Sequence, residues 1–181
     1  NPIMQTCIGP SEEHVSMAGI PTEASILDMV ERAMPGRVQN VYAHSSGGGK
    51  FIAVIQFKKT VPSDEGRQRQ AALLAFSAFP ELKQVILVDE DVDIFDTNDV
   101  LWAMTTRMQA DVDIVTIPGV RCHPLDPSND PACSWSIRDH GIACKTIYDA
   151  TVPFNQKARF QRAKFMEVDV KKFLPDFTVQ D

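Results

Sequence analysis

Two histidines and one lysine stand in loop-like segments where their side chains could act on a bound molecule. His14 follows two glutamates, His123 precedes a Pro-Leu-Asp-Pro segment, and Lys50 follows three glycines. An imidazole can exchange a proton near neutral pH, and an ammonium group can stabilise an oxyanion. Glycines let a backbone come close to a ligand. From spacing alone, the alternative interpretation is a surface histidine in each loop and a flexible hairpin turn with a surface lysine.

The glycine run before Lys50 does not match a nucleotide-binding phosphate loop. That motif needs a Gly six residues before its Lys and a Ser or Thr directly after it. The corresponding positions hold His44 and Phe51. The sequence therefore argues against nucleotide binding at this turn.

A second candidate is the acidic segment 89–96, DEDVDIFD, which follows a short apolar run. It is not an EF-hand, because loop positions 6 and 12 hold Ile94 and Val100 instead of Gly and Glu. Asp89-x-Asp91 resembles the metal motif of nucleotide-sugar glycosyltransferases, in which two carboxylates hold a divalent cation. The alternative is a solvated acidic loop that caps the next helix, because carboxylates stabilise a helix N-terminus.

Composition limits the classes of protein that the chain can represent. It has 181 residues, a net charge of −6 and a sequence pI near 5.2. These values argue against a general nucleic-acid or membrane-surface binder. No apolar run reaches the roughly 20 residues of a membrane-spanning helix. The length favours a single domain covering residues 1–181, and the cysteine usage favours the cytoplasm.

The four cysteines form no C-x-x-C pair, which favours a reducing compartment. Cys7 is a possible nucleophile, although no activating base is identified near it. A zinc site could combine Cys122, Cys133, His140 and Cys144, but their spacing matches no common zinc pattern.

Hydrophobic periodicity and turn residues predict an α/β fold: a mixed sheet with a parallel βαβ core flanked by helices, plus a C-terminal helical tail. Residues 1–20 read as a loop, and Thr22 is predicted to cap the first helix. The predicted helices cover 23–34, from Ser63 to near Pro80, 98–109, 156–166 and 170–174. The predicted strands cover 38–44, 51–57, 85–88, 114–117 and 143–148. A right-handed crossover would make strands 85–88 and 114–117 parallel, and 118–141 is a long loop.

Several segments together resemble the C-terminal region of the UbiD decarboxylase family. The longest is 85–107, VILVDEDVDIFDTNDVLWAMTTR, and Pro124 to Ser128 is a second. Segments 8–24 and 66–76 resemble the hydroxybenzoate branch, which includes gallate and protocatechuate (3,4-dihydroxybenzoate) decarboxylases. The resemblance covers nearly the whole chain and is weakest over 128–150.

The resemblance implies that this chain is the C-terminal α/β domain of a longer carboxy-lyase and is inactive alone. The family's prenylated FMN, its divalent metal (Mn or Mg) and often K⁺ lie in a flavin domain with a catalytic Glu–Arg–Glu set. No residue here matches that set or the cofactor ligands. The implied partners are the N-terminal and flavin-binding regions and further copies of the enzyme, as a dimer or hexamer. Residues 155–181 are the predicted oligomer contact.

The same resemblance assigns roles to the loop residues. His14, Lys50 and His123 correspond to contacts with the substrate's hydroxyl groups, and Leu125 and Cys7 are candidates for the pocket wall. The implied reaction is reversible, non-oxidative decarboxylation of protocatechuate to catechol, or of gallate to pyrogallol. Two alternatives are a non-catalytic oligomerisation domain and a metal-dependent glycosyltransferase that uses Asp89 and Asp91.

Overall fold

A computed structural model describes residues 12–121, 123, 126, 128, 142–163, 166, 168 and 170–173, with the backbone alone at 12–14, 170 and 171. The strands are β1 (Val38–Ala43), β2 (Ile52–Phe57), β3 (Gln84–Val88), β4 (Ile114–Arg121) and β5 (Ile142–Ala150). The α-helices are α1 (Glu12–Ala33), α2 (Arg67–Ala78), α3 (Thr97–Arg107), α4 (Ala110–Asp113) and α5 (Val170–Phe173). Short 3-10 segments cover Ser45–Gly47, Pro62–Asp64 and Phe154–Arg159.

The strands form one five-stranded mixed sheet in the order β1-β2-β3-β5-β4. The central strands β2, β3 and β5 are parallel, whereas β1 and β4 run antiparallel at the two edges. Successive residues of a strand point to opposite faces. Val85 and Leu87 accordingly pack with α1 and α2, while Ile86 and Val88 pack with α3. The predicted fold class, a mixed sheet with parallel strands between helices, is confirmed.

The prediction of a parallel unit from β3 through α3 to β4 is wrong. β5 lies between the two strands, parallel to β3, and β4 pairs antiparallel with β5 at the edge of the sheet. Pro118 and Gly119 explain this position, because a residue without a backbone N–H is tolerated at an edge and not in a central strand. The register of β4 also shifts between Ile117 and Val120. The parallel crossover is instead made by β2, α2 and β3.

The first helix begins earlier than predicted, at Glu12, and contains Pro21 and Thr22. Thr22 does not cap it: its hydroxyl donates a 2.7 Å hydrogen bond to the carbonyl of Ala18. Gly19, a helix-breaking residue in the segment predicted to be a loop, packs against Gly49. A Cβ on Gly49 would lie 2.9 Å from the backbone nitrogen of Gly19. Tertiary packing therefore outweighs the low helix propensity of this segment.

Two other helix boundaries also differ from the prediction. The helix expected from Ser63 begins at Arg67, because Gly66 has φ 88° and so interrupts a right-handed helix between the Pro62–Asp64 turn and α2. The helix expected over 156–166 is the 3-10 segment Phe154–Arg159, while α5 lies where a short final helix was predicted. None of the helices in the described ranges has the length and hydrophobicity to cross a membrane.

Candidate functional site

Lys50 and His123, which the sequence places in separate loops, meet at the end of the sheet where strands β2 and β3 begin. Lys50 precedes β2, and His123 follows β4. Because β4 is antiparallel to the other strands of this region, it ends where they begin. Both side chains approach one carboxylate oxygen, Oε2 of Glu81. The His123 Nε2 atom lies 3.2 Å from it, and the Lys50 Nζ atom lies 4.0 Å from it.

Glu81 is the residue of this cluster that sequence reasoning missed. It lies between the end of α2 and the start of β3, in a segment without a motif. The exposed fractions of the side chains are 8% for His123, 18% for Lys50 and 38% for Glu81. The two donors are therefore largely removed from water, which strengthens their attraction for a negatively charged oxygen.

The loop that carries His123 is fixed to the start of β3. The backbone N–H of Asp126 donates to the carbonyl of His123 (3.1 Å), and the Asp126 carboxylate pairs with Lys83 Nζ at 2.8 Å. Burial alone would raise the pKa of Asp126, but hydrogen bonds from Lys83 and Ser128 lower it below its usual value. The ring of Phe51 meets the His123 ring edge-on, with centroids 5.6 Å apart. These contacts orient the imidazole.

The turn that carries Lys50 is held by His44. The His44 Nδ1 atom accepts from the backbone N–H of Ser46 (3.1 Å), and its Nε2 atom lies 2.8 Å from the Thr97 hydroxyl at the start of α3. Nδ1 is therefore an acceptor, so the ring is neutral with its proton on Nε2. Burial lowers the pKa of His44, which favours this neutral form.

The backbone of His14 lies in α1, next to Val15. A Cβ on Gly49 would lie 3.1 Å from the carbonyl oxygen of Val15, so this end of α1 packs on the turn that carries Lys50. The structure thus brings the backbone of His14 near the site but does not describe its side chain. Cys7 and Leu125 lie outside the described residues, as do Cys122, Cys133 and His140.

The acidic loop lies at the opposite end of the strands, where β3 ends. Arg107 binds both of its first aspartates: Nη1 lies 3.1 Å from Asp89, and Nη1 and Nη2 lie 2.8 and 2.6 Å from Asp91. Burial raises the pKa of Asp89. It would also raise the pKa of Asp91, but the hydrogen bonds from Arg107 lower it. The carboxylates of the Asp-x-Asp motif are thus already paired with a buried guanidinium.

The rest of this loop also has structural partners. Asp96 caps α3 by accepting from the backbone N–H of Asn98 (2.9 Å), which agrees with the capping interpretation. Lys157 pairs with Glu90 at 2.9 Å, and Arg162 pairs with Asp99 at 2.7 Å. Among the residues that the structure describes, no group of His, Cys, Asp and Glu side chains could hold a metal ion. The contacts favour a structural role over a glycosyltransferase metal site.

A family model for the C-terminal domain of 3-octaprenyl-4-hydroxybenzoate carboxy-lyase matches residues 15–150. The chain therefore belongs to this family of carboxy-lyase domains, the UbiD family. It is 62% identical over 176 residues to the gallate decarboxylase of Lactiplantibacillus plantarum, covering 96% of this chain and 36% of that protein.

Solved structures of related enzymes are also similar to this chain. A 3,4-dihydroxybenzoic acid decarboxylase from Enterobacter cloacae superposes with a TM-score of 0.84 at 64% identity, covering 93% of this chain and 34% of that one. The UbiD-class enzyme HmfF from Pelotomaculum thermopropionicum, solved in complex with FMN, has a TM-score of 0.78 at 33% identity, covering 92% and 35%. This chain spans about a third of the length of the proteins it matches.

Proposed function

We propose that this chain is the C-terminal domain of a decarboxylase that removes CO2 reversibly from a catechol-type benzoic acid, protocatechuate or gallate. The observation that carries the proposal is the convergence of Lys50 and His123 on one oxygen position, that of Glu81 Oε2. Two nitrogen atoms within 4.0 Å of one point can stabilise an oxygen that gains negative charge during a reaction.

The chemistry of the reaction accounts for these residue types. Loss of CO2 from an aromatic ring is easier when a phenol para to the carboxylate is deprotonated and donates electrons to the ring. An imidazole can take the phenol proton, and an ammonium can stabilise the phenolate. His123 and Lys50 are proposed to do this, with His14 as a third contact. Leu125 and Cys7 stay predictions for the pocket wall.

The prenylated flavin would supply the electrophilic carbon that reacts with the substrate ring. Its binding, with a divalent metal and K⁺, is proposed for the two thirds of the relatives' length that this chain does not cover. The proposed role of this chain is to bind and orient the substrate's hydroxyl groups and to cover the active site in the cytoplasmic enzyme.

The proposal is tested with a full-length enzyme that contains this chain, loaded with prenylated FMN. We expect Lys50→Ala and His123→Ala each to lower the rate of catechol or pyrogallol formation by roughly tenfold or more, as for other donors to a developing oxyanion. Arg32→Ala removes an exposed cation of α1 that, among the residues described by the structure, pairs with Asp28, and it should leave the rate unchanged. Near-normal turnover in both site variants would reject the assignment.

A non-catalytic assembly domain is the second candidate, and four large apolar side chains favour it. Phe160, Met166, Val168 and Phe173, all within the predicted oligomer contact 155–181, are exposed, and exposed apolar side chains often mark an interface. Light scattering of the chain with and without residues 164–181 tests this role. An unchanged molar mass per chain would reject the tail as the oligomer contact, whereas dissociation would support it.

A further inference from the structure

Glu81 brings to the candidate site a property that neither Lys50 nor His123 has. An ionised carboxylate only accepts hydrogen bonds, and its two oxygens offer about four acceptor positions. Oε2 faces the two nitrogen donors. Within the described part of the chain, Oε1 takes part in no hydrogen bond or ion pair. The site therefore combines two donors with an acceptor that has capacity for a further partner.

We propose that Glu81 selects substrates with two neighbouring hydroxyl groups by accepting a hydrogen bond from the second hydroxyl. This inference rests on the proposed function and names the residue that would make the enzyme prefer acids with adjacent hydroxyls. Lys50 and His123 stabilise the oxygen that loses its proton. The adjacent hydroxyl keeps its proton and donates a hydrogen bond to Glu81.

The signs of the charges support this division. A phenolate oxygen is attracted by Lys50 and repelled by Glu81, so in this proposal it takes the place of Oε2 beside the two nitrogens and moves the carboxylate toward the adjacent hydroxyl. A neutral hydroxyl is a donor, and a hydrogen bond between a neutral donor and a carboxylate is stronger than one between two neutral groups. The two oxygens of a catechol thus match the two kinds of group that the cluster presents.

Burial explains why the contact would discriminate between substrates. Glu81 keeps 38% of its side-chain surface exposed, so water solvates the carboxylate when the site is empty. A bound aromatic ring removes that water. A substrate with a single hydroxyl would then leave a desolvated carboxylate without a donor, which is costly, whereas a vicinal diol replaces the water.

A purely structural role is the competing explanation. Glu81 could simply hold Lys50 and His123 in place, in which case its loss would impair all phenolic substrates equally. Glu81→Gln distinguishes the two roles, because the amide oxygen can still accept from His123 while the negative charge is lost. Glu81→Ala removes both properties. Asp111→Asn is the matched control, since it neutralises an exposed carboxylate on α4.

The first test compares kcat/KM for protocatechuate and 4-hydroxybenzoate in the full-length enzyme loaded with prenylated FMN. We expect Glu81→Gln and Glu81→Ala to lower the preference for protocatechuate by about 10- to 100-fold, the range for a hydrogen bond to a charged group. The control should keep the wild-type preference. A parallel loss for both substrates, with the preference unchanged, would overturn the proposal.

The second test does not require turnover, so it separates this inference from the proposed function. Calorimetry with the full-length enzyme without flavin measures the Kd values of catechol and phenol. We expect the wild type to bind catechol about tenfold or more tightly than phenol, and Glu81→Gln to lose most of this difference. Equal Kd ratios in wild type and variant would overturn the role of Glu81. Absence of decarboxylation with an intact catechol preference would reject the proposed reaction and leave the specificity role supported.

Discussion

Replacing Asp64 with Asn tests whether this buried carboxylate stabilises the loop between β2 and α2. Asp64 is fully buried, and its Oδ2 atom accepts from the backbone N–H groups of Thr60 (2.8 Å) and Val61 (3.1 Å). The Arg37 Nε atom lies 2.9 Å from the same oxygen. Burial alone would raise the pKa of Asp64, but these donors lower it from 3.8 to about 2.

The size of the effect follows from this pKa. At 1.36 kcal/mol per pKa unit, the difference between about 2 and 3.8 stabilises the folded chain by about 2 kcal/mol near neutral pH. Because the folded pKa is the lower one, this stabilisation is complete above the unfolded value and is lost as the pH falls through about 2. Asn at position 64 has no charge to lose, so the variant lacks this pH dependence.

The assay is urea unfolding of wild type and Asp64→Asn at pH 6 and at several values down to pH 2.5. We expect the variant to be less stable by about 2 to 3 kcal/mol at pH 6, and the difference to shrink as the pH falls. Asp28→Asn is the control. Asp28 pairs with Arg32 at 2.8 Å on the surface, and such a pair contributes about 0.5 kcal/mol or less. A stability difference that stays constant over this pH range would refute the reasoning.

Two further predictions concern the guanidinium that binds the acidic loop and the histidine that holds the turn of Lys50. Arg107→Ala should lower the free energy of unfolding by about 3 to 5 kcal/mol, because it leaves Asp89 buried without its guanidinium partner; a urea midpoint close to that of the wild type would contradict this. Acidification from pH 7 to pH 5 should destabilise the wild type more than His44→Asn, since burial lowers the pKa of His44 and protonation removes the acceptor for the Ser46 N–H. The asparagine oxygen can still accept that hydrogen bond, so identical pH dependence by thermal unfolding would count against it.

Features that depend on neighbouring residues were predicted well. The two strand segments around the glycine-rich turn 45–49 predicted a hairpin, which β1 and β2 form, and the apolar run 85–88 predicted a strand buried on both faces, which is β3. Thr97 or Asp96 was predicted to cap the following helix, and Asp96 is the residue that does so. The long motif around the acidic loop, together with the shorter segments, indicated the family.

Features that depend on distant residues were predicted poorly or missed. β5 pairs with β3, with Gln84 opposite Thr146, and no local pattern indicates that a later strand lies between β3 and β4. The start of α1 was missed because Gly19 reads as a helix breaker, although in the fold it provides room for Gly49.

The sequence by itself determined the class of fold, the family and two of the groups that meet at the candidate site, because these depend on local patterns and on the types of residue. Only the tertiary structure decided the strand order and the inclusion of Glu81 with Lys50 and His123. The physical reason is that the effect of a carboxylate depends on its distance from other charges. The folding of the sheet brings these three residues from separate segments to the same end of the strands.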